Sequence, residues 1–192
     1  GDTVIDAVES KEKYDVLVLE LSSFQIHWMK SAQFTASALL NIADDHTDWH
    51  GDFEEYARTK ISLLDSSSTG ILNADDSEVV KRSVHWKGRK VFFTLETPGP
   101  GEIGVVEELL VDRAFVADPQ EAAMICELKE IKPTVPHNVS NALAAAGLAR
   151  AAGIDHESIR SALAAFTPGR HRIEEVLSSD GVTWIDDSKA TN

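Results

Sequence analysis

Three acidic or mixed-charge clusters punctuate the apolar runs of this chain, and each combines residue types that hold cations, phosphates or sugars. Glu20 directly follows the run Asp15-Val16-Leu17-Val18-Leu19. If that run is a buried strand, Glu20 stands at its carboxyl end, where open α/β sheets gather their ligands. A carboxylate there is costly unless a cation or hydrogen-bond donors meet it. Position alone also allows a plain solvated strand end. Asp44-Asp45-His46-Thr47-Asp48 follows a second apolar run, Ala38-Leu39-Leu40-Asn41-Ile42, and belongs on the same rim. Oxygen-rich loops of this kind suit magnesium and its phosphate partners, because magnesium prefers oxygen ligands and keeps waters. A hydrated turn uses the same residues, and His50 reads as peripheral.

Lys60 falls inside the helical stretch that follows, where a solvated lysine is the plain reading. Asn138 and Asn141 are three apart and share one side of a helix start. They suit capping, or the presentation of amides to a base or sugar. Arg172 and the polar string Asp186-Asp187-Ser188-Lys189-Ala190-Thr191-Asn192 complete the set. Asp, Lys and Thr together fit a nucleotide or an anionic substrate, although a hydrated loop looks similar. The chain has no Gly-x-x-x-x-Gly-Lys-Ser/Thr phosphate loop, no CxxC, no HExxH and no Gly-x-Ser-x-Gly elbow.

These residues need a scaffold, and the hydrophobic pattern supplies one. Residues 3–12 read as a helix end with Val4, Ile5 and Val8 on one face. The runs at 15–19 and 38–42 are continuous and apolar, as in strands buried on both faces. Asp52 to Leu64 has helical spacing, with Asp52 as cap and Glu55 in capping-box position. A strand at Gly70–Asn73, a helix from Asp75 to Ser83 and a strand at Lys90–Thr94 continue the alternation. Strand and helix in alternation predict a doubly wound, mostly parallel α/β sheet flanked by helices. After Pro98-Gly99-Pro100-Gly101 the pattern shifts to short strands between Ile103 and Lys132, a small antiparallel β flap. Helices return at Asn138–Ala152, ended by Gly153, and at Glu157–Phe166, capped by Asp155. Thr167-Pro168-Gly169 reads as a linker. Asp180-Gly181 between Arg172–Leu177 and Val182–Ile185 predicts a hairpin.

The 192 residues carry 43% hydrophobic side chains, enough for one sizeable core. The balance is acidic, 18 Lys+Arg against 32 Asp+Glu, a formal net charge of -14. Such a surface repels nucleic acid and anionic membranes. One cysteine, Cys126, excludes an internal disulfide and reads as a buried thiol. No apolar run approaches the roughly 20 residues that span a bilayer, and no secretory leader is visible, so a cytoplasmic location is expected. Both ends read as cut points.

Taken in order, six strings resemble the Mur ligases. They are Glu20-Leu21-Ser22-Ser23-Phe24-Gln25; Asn41 to His46 with Lys60; Leu72-Asn73-Ala74-Asp75-Asp76; His137-Asn138-x-x-Asn141; His171-Arg172; and Asp187-Ser188-Lys189-Ala190-Thr191-Asn192. The first and last look most like the family member that uses UDP-N-acetylmuramoyl-L-alanine, D-glutamate and ATP. The resemblance implies that residues 1–168 are part of a central ATPase domain and 169–192 the start of a Rossmann-like C-terminal domain, its hairpin truncated. The family's phosphate loop would lie upstream of Glu20, outside this chain. Pro136 stands where the family commonly has Gly.

Carried over, the resemblance implies that Glu20, His46 and Lys60 hold magnesium, two ions in the family scheme, with Lys60 carbamylated by carbon dioxide. Asn138, Asn141, Arg172 and Asp187 would contact ATP. Ser22 and Gln25 would face the muramoyl substrate. Lys189 and Thr191 would lie near the phosphate and the incoming D-glutamate. A monomer, acting in peptidoglycan precursor synthesis, is the implied state. A sister ligase with another amino acid, or a nucleotide-binding module without chemistry, are the alternatives.

Overall fold

The computed structural model describes residues 3–118 and 120–190. One six-stranded sheet carries the fold, in the order β1 (Phe34–Leu39), β2 (Ser67–Asn73), β3 (Arg89–Phe93), β4 (Glu102–Val106), β5 (Leu109–Asp112) and β6 (Ala123–Glu127). β1 to β4 pair in parallel, and β4–β5 and β5–β6 pair antiparallel. The expected flap is therefore continuous with the main sheet, joined by the pairs Phe92↔Glu102 and Phe93↔Ile103.

Side chains alternate across β2 and so feed two cores. Ile71 belongs to the larger one, with Val91, Phe93, Ile103, Leu143 and Ile159. That core lies against α6 (Pro136–Ala151) and α7 (His156–Ala165). Leu72 belongs to the other, with Leu39, Tyr56, Ala57, Leu64 and Val79. This second core is closed by α4 (Phe53–Ile61) and α5 (Ser77–Ser83), which follow α1 (Val4–Glu9), α2 (Ser23–Trp28) and α3 (Thr47–His50) in the chain. Alanine-rich α6 seats closely on the sheet, because a Cβ built on Gly147 would lie 2.8 Å from Ile71 Cγ2. Its N1 residue is Pro136, which suits a position whose N–H has no helical partner.

The caps follow the sequence. Asp52 accepts from the Glu55 N–H at 2.8 Å and Asp155 from that of Ser158 at 2.8 Å. Gly153 takes φ +86° past the end of α6, as a helix stop requires. β7 (Glu174–Ser179) and β8 (Val182–Asp186) form the expected hairpin. Asp180 and Gly181 both have positive φ, 53° and 78°, matching a two-residue turn that follows the strand twist.

Three expectations need correction. The run at 15–19 is not a central strand: Val16, Leu17 and Val18 are 56%, 46% and 86% exposed. A strand needs partners for its backbone groups and cover for its faces, and no described residue pairs with this run. The next strand spans Phe34–Leu39, earlier than the expected 38–42. Finally, neither Asn138 nor Asn141 caps α6. The N-cap is Val135, without a side-chain bond, and Asn138 Nδ2 instead donates to the Pro133 carbonyl at 2.9 Å.

Candidate functional site

The rim around Lys60 begins with the ends of the parallel strands. Asn73 Nδ2 donates to the Leu40 carbonyl at 2.7 Å. Asp76 accepts from the Ile42 N–H at 3.3 Å, and Asp75 accepts from Thr94 Oγ1 at 2.6 Å and the Leu95 N–H at 2.8 Å. The Asn73–Asp76 string therefore binds the chain after β1 and after β3 to the end of β2.

Just beyond β1, His46 adopts a left-handed backbone conformation, φ 53°, and opens α3 without a side-chain cap. Its Nε2 is 3.5 Å from Asp45 Oδ2. Its ring centroid lies 4.9 Å from that of Phe24 and 6.4 Å from that of Tyr56. Lys60 approaches from α4, where it is half-buried. Its Nζ is 3.4 Å from the Tyr56 hydroxyl and 5.4 Å from the ring centroid. Burial lowers the pKa of the Lys60 amine, while Asp45 and Asp76 act in the opposite direction. Burial also raises that of the Tyr56 phenol, helped by Asp45.

His46, Lys60, Asp45, Asp76 and Tyr56 thus share one neighbourhood. Glu20 is exposed on the segment leading into α2. Among the described residues, Glu20 and His46 belong to no set of three His, Cys, Asp or Glu groups whose ligand atoms lie within 4.8 Å of one another.

Ser22 and Gln25 are turned toward each other. Ser22 caps α2 by accepting from the Gln25 N–H at 3.3 Å, and Gln25 Oε1 accepts from the Ser22 N–H at 2.8 Å. This is a capping box.

A second cluster occupies the open end of the β7–β8 hairpin. His171 Nδ1 and Asp186 Oδ2 are 2.7 Å apart. The His171 imidazole, with help from Ser188, holds the Asp186 carboxyl down at about 2. The Lys189 N–H donates to the His171 carbonyl at 3.1 Å, and Asp187 Oδ1 accepts from the Ile173 N–H at 3.1 Å. Arg172, Asp187 and Lys189 are all exposed. Among the described residues, His171, Glu174 and Asp186 form the one trio of candidate ligands. Their polar atoms already serve one another and the backbone: Glu174 accepts from the His171 N–H at 2.9 Å, and Asp186 Oδ1 from that of Ser188 at 3.0 Å. The trio is thus a closed latch for the loop. Asn141 is exposed on α6, and Thr191 lies outside the described residues.

Tyr56 is the neighbour of Lys60 that lies outside the motif strings. The available signal was spacing, since Tyr56 and Lys60 are one helical turn apart on the same face.

Residues 4–149 match the sequence family described as the Mur ligase middle domain. The whole chain is 48% identical to the UDP-N-acetylmuramoylalanine--D-glutamate ligase of Streptomyces coelicolor, of which it spans 42%. It is 46% identical to the enzyme of the same name from Thermobifida fusca, spanning 43% of it. The chain thus covers less than half of these relatives. Among solved structures, it resembles a pseudomurein peptide ligase type C from Methanothermus fervidus, with TM-score 0.59 and 20% identity. That match covers 79% of this chain and 38% of the other. MurF from Acinetobacter baumannii gives TM-score 0.58 at 20% identity over 80% of this chain and 33% of its own. These structural likenesses establish the fold.

Proposed function

Because the chain belongs to the Mur ligase family, we propose that it is the metal- and nucleotide-handling part of an ATP-dependent ligase joining UDP-N-acetylmuramoyl-L-alanine to D-glutamate. Residues 1–168 serve as the larger part of its central domain, and 169–192 open the next. The observation that carries this reading is Lys60, a half-buried amine of lowered pKa set beside carboxylates. Burial favours the neutral amine, which is the form that attacks carbon dioxide. The N–C bond forms, the amine loses a proton, and a cation becomes an anionic oxygen ligand.

The donor chemistry fits magnesium. Glu20 offers an exposed carboxylate, His46 an imidazole, and Asp45 and Asp76 lie near Lys60. A carbamate at Lys60 supplies an oxygen that the amine lacks. Glu20, His46 and the carbamate would hold the ions, which when bound neutralise phosphate charge.

The reaction proceeds in two displacements. The substrate carboxylate forms a bond to the γ-phosphorus of ATP, the β–γ bridge breaks, and ADP leaves. The D-glutamate amine then bonds to the acyl carbon, the acyl–phosphate bond breaks, and the amine proton passes to solvent. The residues of this chain bind and orient. Arg172, Asp187, Asn138 and Asn141 address ATP, Lys189 and Thr191 the phosphate and amino acid, and Ser22 and Gln25 the muramoyl substrate. An acyl phosphate also hydrolyses, so the site has to exclude water.

The test uses the full-length protein with ATP, UDP-N-acetylmuramoyl-L-alanine and, in turn, D-glutamate, L-lysine and meso-diaminopimelate. Amide product with D-glutamate, matched by ADP release, is the expected result. Product with another amino acid reassigns the ligase. Absence of product in every arm, with nucleotide still bound, favours a binding module without chemistry.

A further inference from the structure

His50 stands between two elements that the proposed reaction needs in register. Its Nε2 shares a hydrogen bond of 3.0 Å with Ser23 Oγ, inside the Glu20–Gln25 string. Ser23 is buried. The His50 ring lies nearly parallel to that of Phe24, 5.9 Å between centroids and 15° between planes. Its centroid is 5.4 Å from that of Tyr56, the residue whose hydroxyl meets Lys60. Trp49 packs edge-on against it at 4.5 Å. One imidazole thus touches the helix that carries Ser22 and Gln25 and the helix that carries Lys60.

The second ring nitrogen supplies an independent observation. His50 Nδ1 is buried and has no hydrogen-bond partner. A glutamine amide could span to Ser23 without placing a second nitrogen there, so hydrogen bonding alone does not account for an imidazole. The ring's flat apolar faces do, because they fill the gap between Phe24 and Tyr56 while one edge holds Ser23. Desolvation is the main cause lowering its pKa, with His27 next and Glu55 opposing, so the surroundings favour the neutral ring.

We propose that His50 is a positioning residue for the ligase reaction, setting α2 against the Tyr56–Lys60 pair through its bond to Ser23 and its stacking on Phe24. This rests on the function proposed above. The substrate carboxylate has to be held at attack distance from the phosphate beside the Lys60 site, and a misplacement of about 1 Å reduces turnover steeply.

The experiment compares His50→Phe, His50→Gln and Ser23→Ala in the full-length enzyme, with kcat and KM measured for each substrate. His50→Phe keeps the ring faces and loses the bond. It is expected to lower kcat at least tenfold with the KM for ATP within twofold. Ser23→Ala is expected to match it, and the double variant to be no worse than either alone, since the two residues act through one contact. His50→Gln should recover part of the lost kcat. Full kcat in both His50→Phe and Ser23→Ala overturns the proposal, as does a double variant whose losses multiply. If His50→Phe does not fold, Ser23→Ala alone decides the matter, and full kcat in that variant overturns the proposal. A wild-type enzyme without ligase turnover overturns the functional reading itself, a result distinct from an active enzyme indifferent to His50.

Discussion

The Tyr56 hydroxyl and the Lys60 amine meet at 3.4 Å across one turn of the same helix. Tyr56 is buried at 5% exposure, so the lysine rises along an aromatic wall before it reaches carboxylates. That wall removes water from the amine and lowers its pKa. Lys60→Arg keeps a cation but forms no stable carbamate. In the full-length enzyme this substitution should reduce ligase turnover about 100-fold or more, in line with the loss of a metal-site ligand. Carbon-13 NMR with labelled bicarbonate should show a carbamate signal in the wild type and none in the variant. Retained turnover in Lys60→Arg would remove the carbamate from the mechanism.

Asp112 is fully buried at the end of β5 and ties three elements together. Its carboxylate accepts from Arg150 Nε at 3.2 Å and from the Ala114 and Phe115 N–H groups at 2.8 and 2.9 Å, and lies 2.8 Å from His156 Nε2. Asp112→Ala removes the acceptor of two backbone N–H groups and of the partly buried Arg150 guanidinium, which keeps its bonds to the Phe115 and Ile154 carbonyls, and should cost about 1–3 kcal/mol. Urea unfolding of the 192-residue chain checks this, and a loss below 1 kcal/mol would refute it.

The lowered pKa of His50 has a signed consequence. Its folded value lies below the ordinary 6.5, so the unfolded chain takes up this proton first as pH falls. The neutral ring's contribution is complete above pH 6.5 and is lost as pH drops through the folded value. Urea midpoints of wild type should therefore fall faster than those of His50→Phe between pH 7 and pH 5. Parallel slopes would show that the ring does not titrate as described.

Gly147 seats α6 on β2. A Cβ there would lie 2.8 Å from Ile71 Cγ2, closer than packed side chains come. Gly147→Val should destabilise the chain by about 1–3 kcal/mol through overpacking. Pairing it with Ile71→Ala should recover part of the loss, as thermal unfolding would report.

The 192-residue chain by itself should fold and yet form no amide from ATP, the muramoyl substrate and D-glutamate. It lacks a Gly-Lys-Ser/Thr phosphate loop among its residues. Measurable turnover would mean that phosphate transfer here needs no such loop.

Much of this architecture was legible in the sequence, for reasons that are local. Asp155, Gly153 and Asp180-Gly181 announce a cap, a stop and a turn through their own side chains or missing Cβ, and the structure follows them. The run at 15–19 misled because apolar content states what a segment would bury, not whether a neighbour is there to bury it. The motif strings led to the right family. Tyr56 escaped notice because it looks like an ordinary apolar helix position, and its hydroxyl matters only once Lys60 is seen across the turn. His50 escaped because its partner, Ser23, is 27 residues away. Contacts of that range are created by the fold.

The bonds from Asn73, Asp75 and Asp76 join three neighbouring strand ends into a single edge. Such an edge cannot yield at one point alone. A displacement at the end of β1, β2 or β3 has to be carried through the same carbonyls and amides, so the three ends shift together, like slats nailed to one batten.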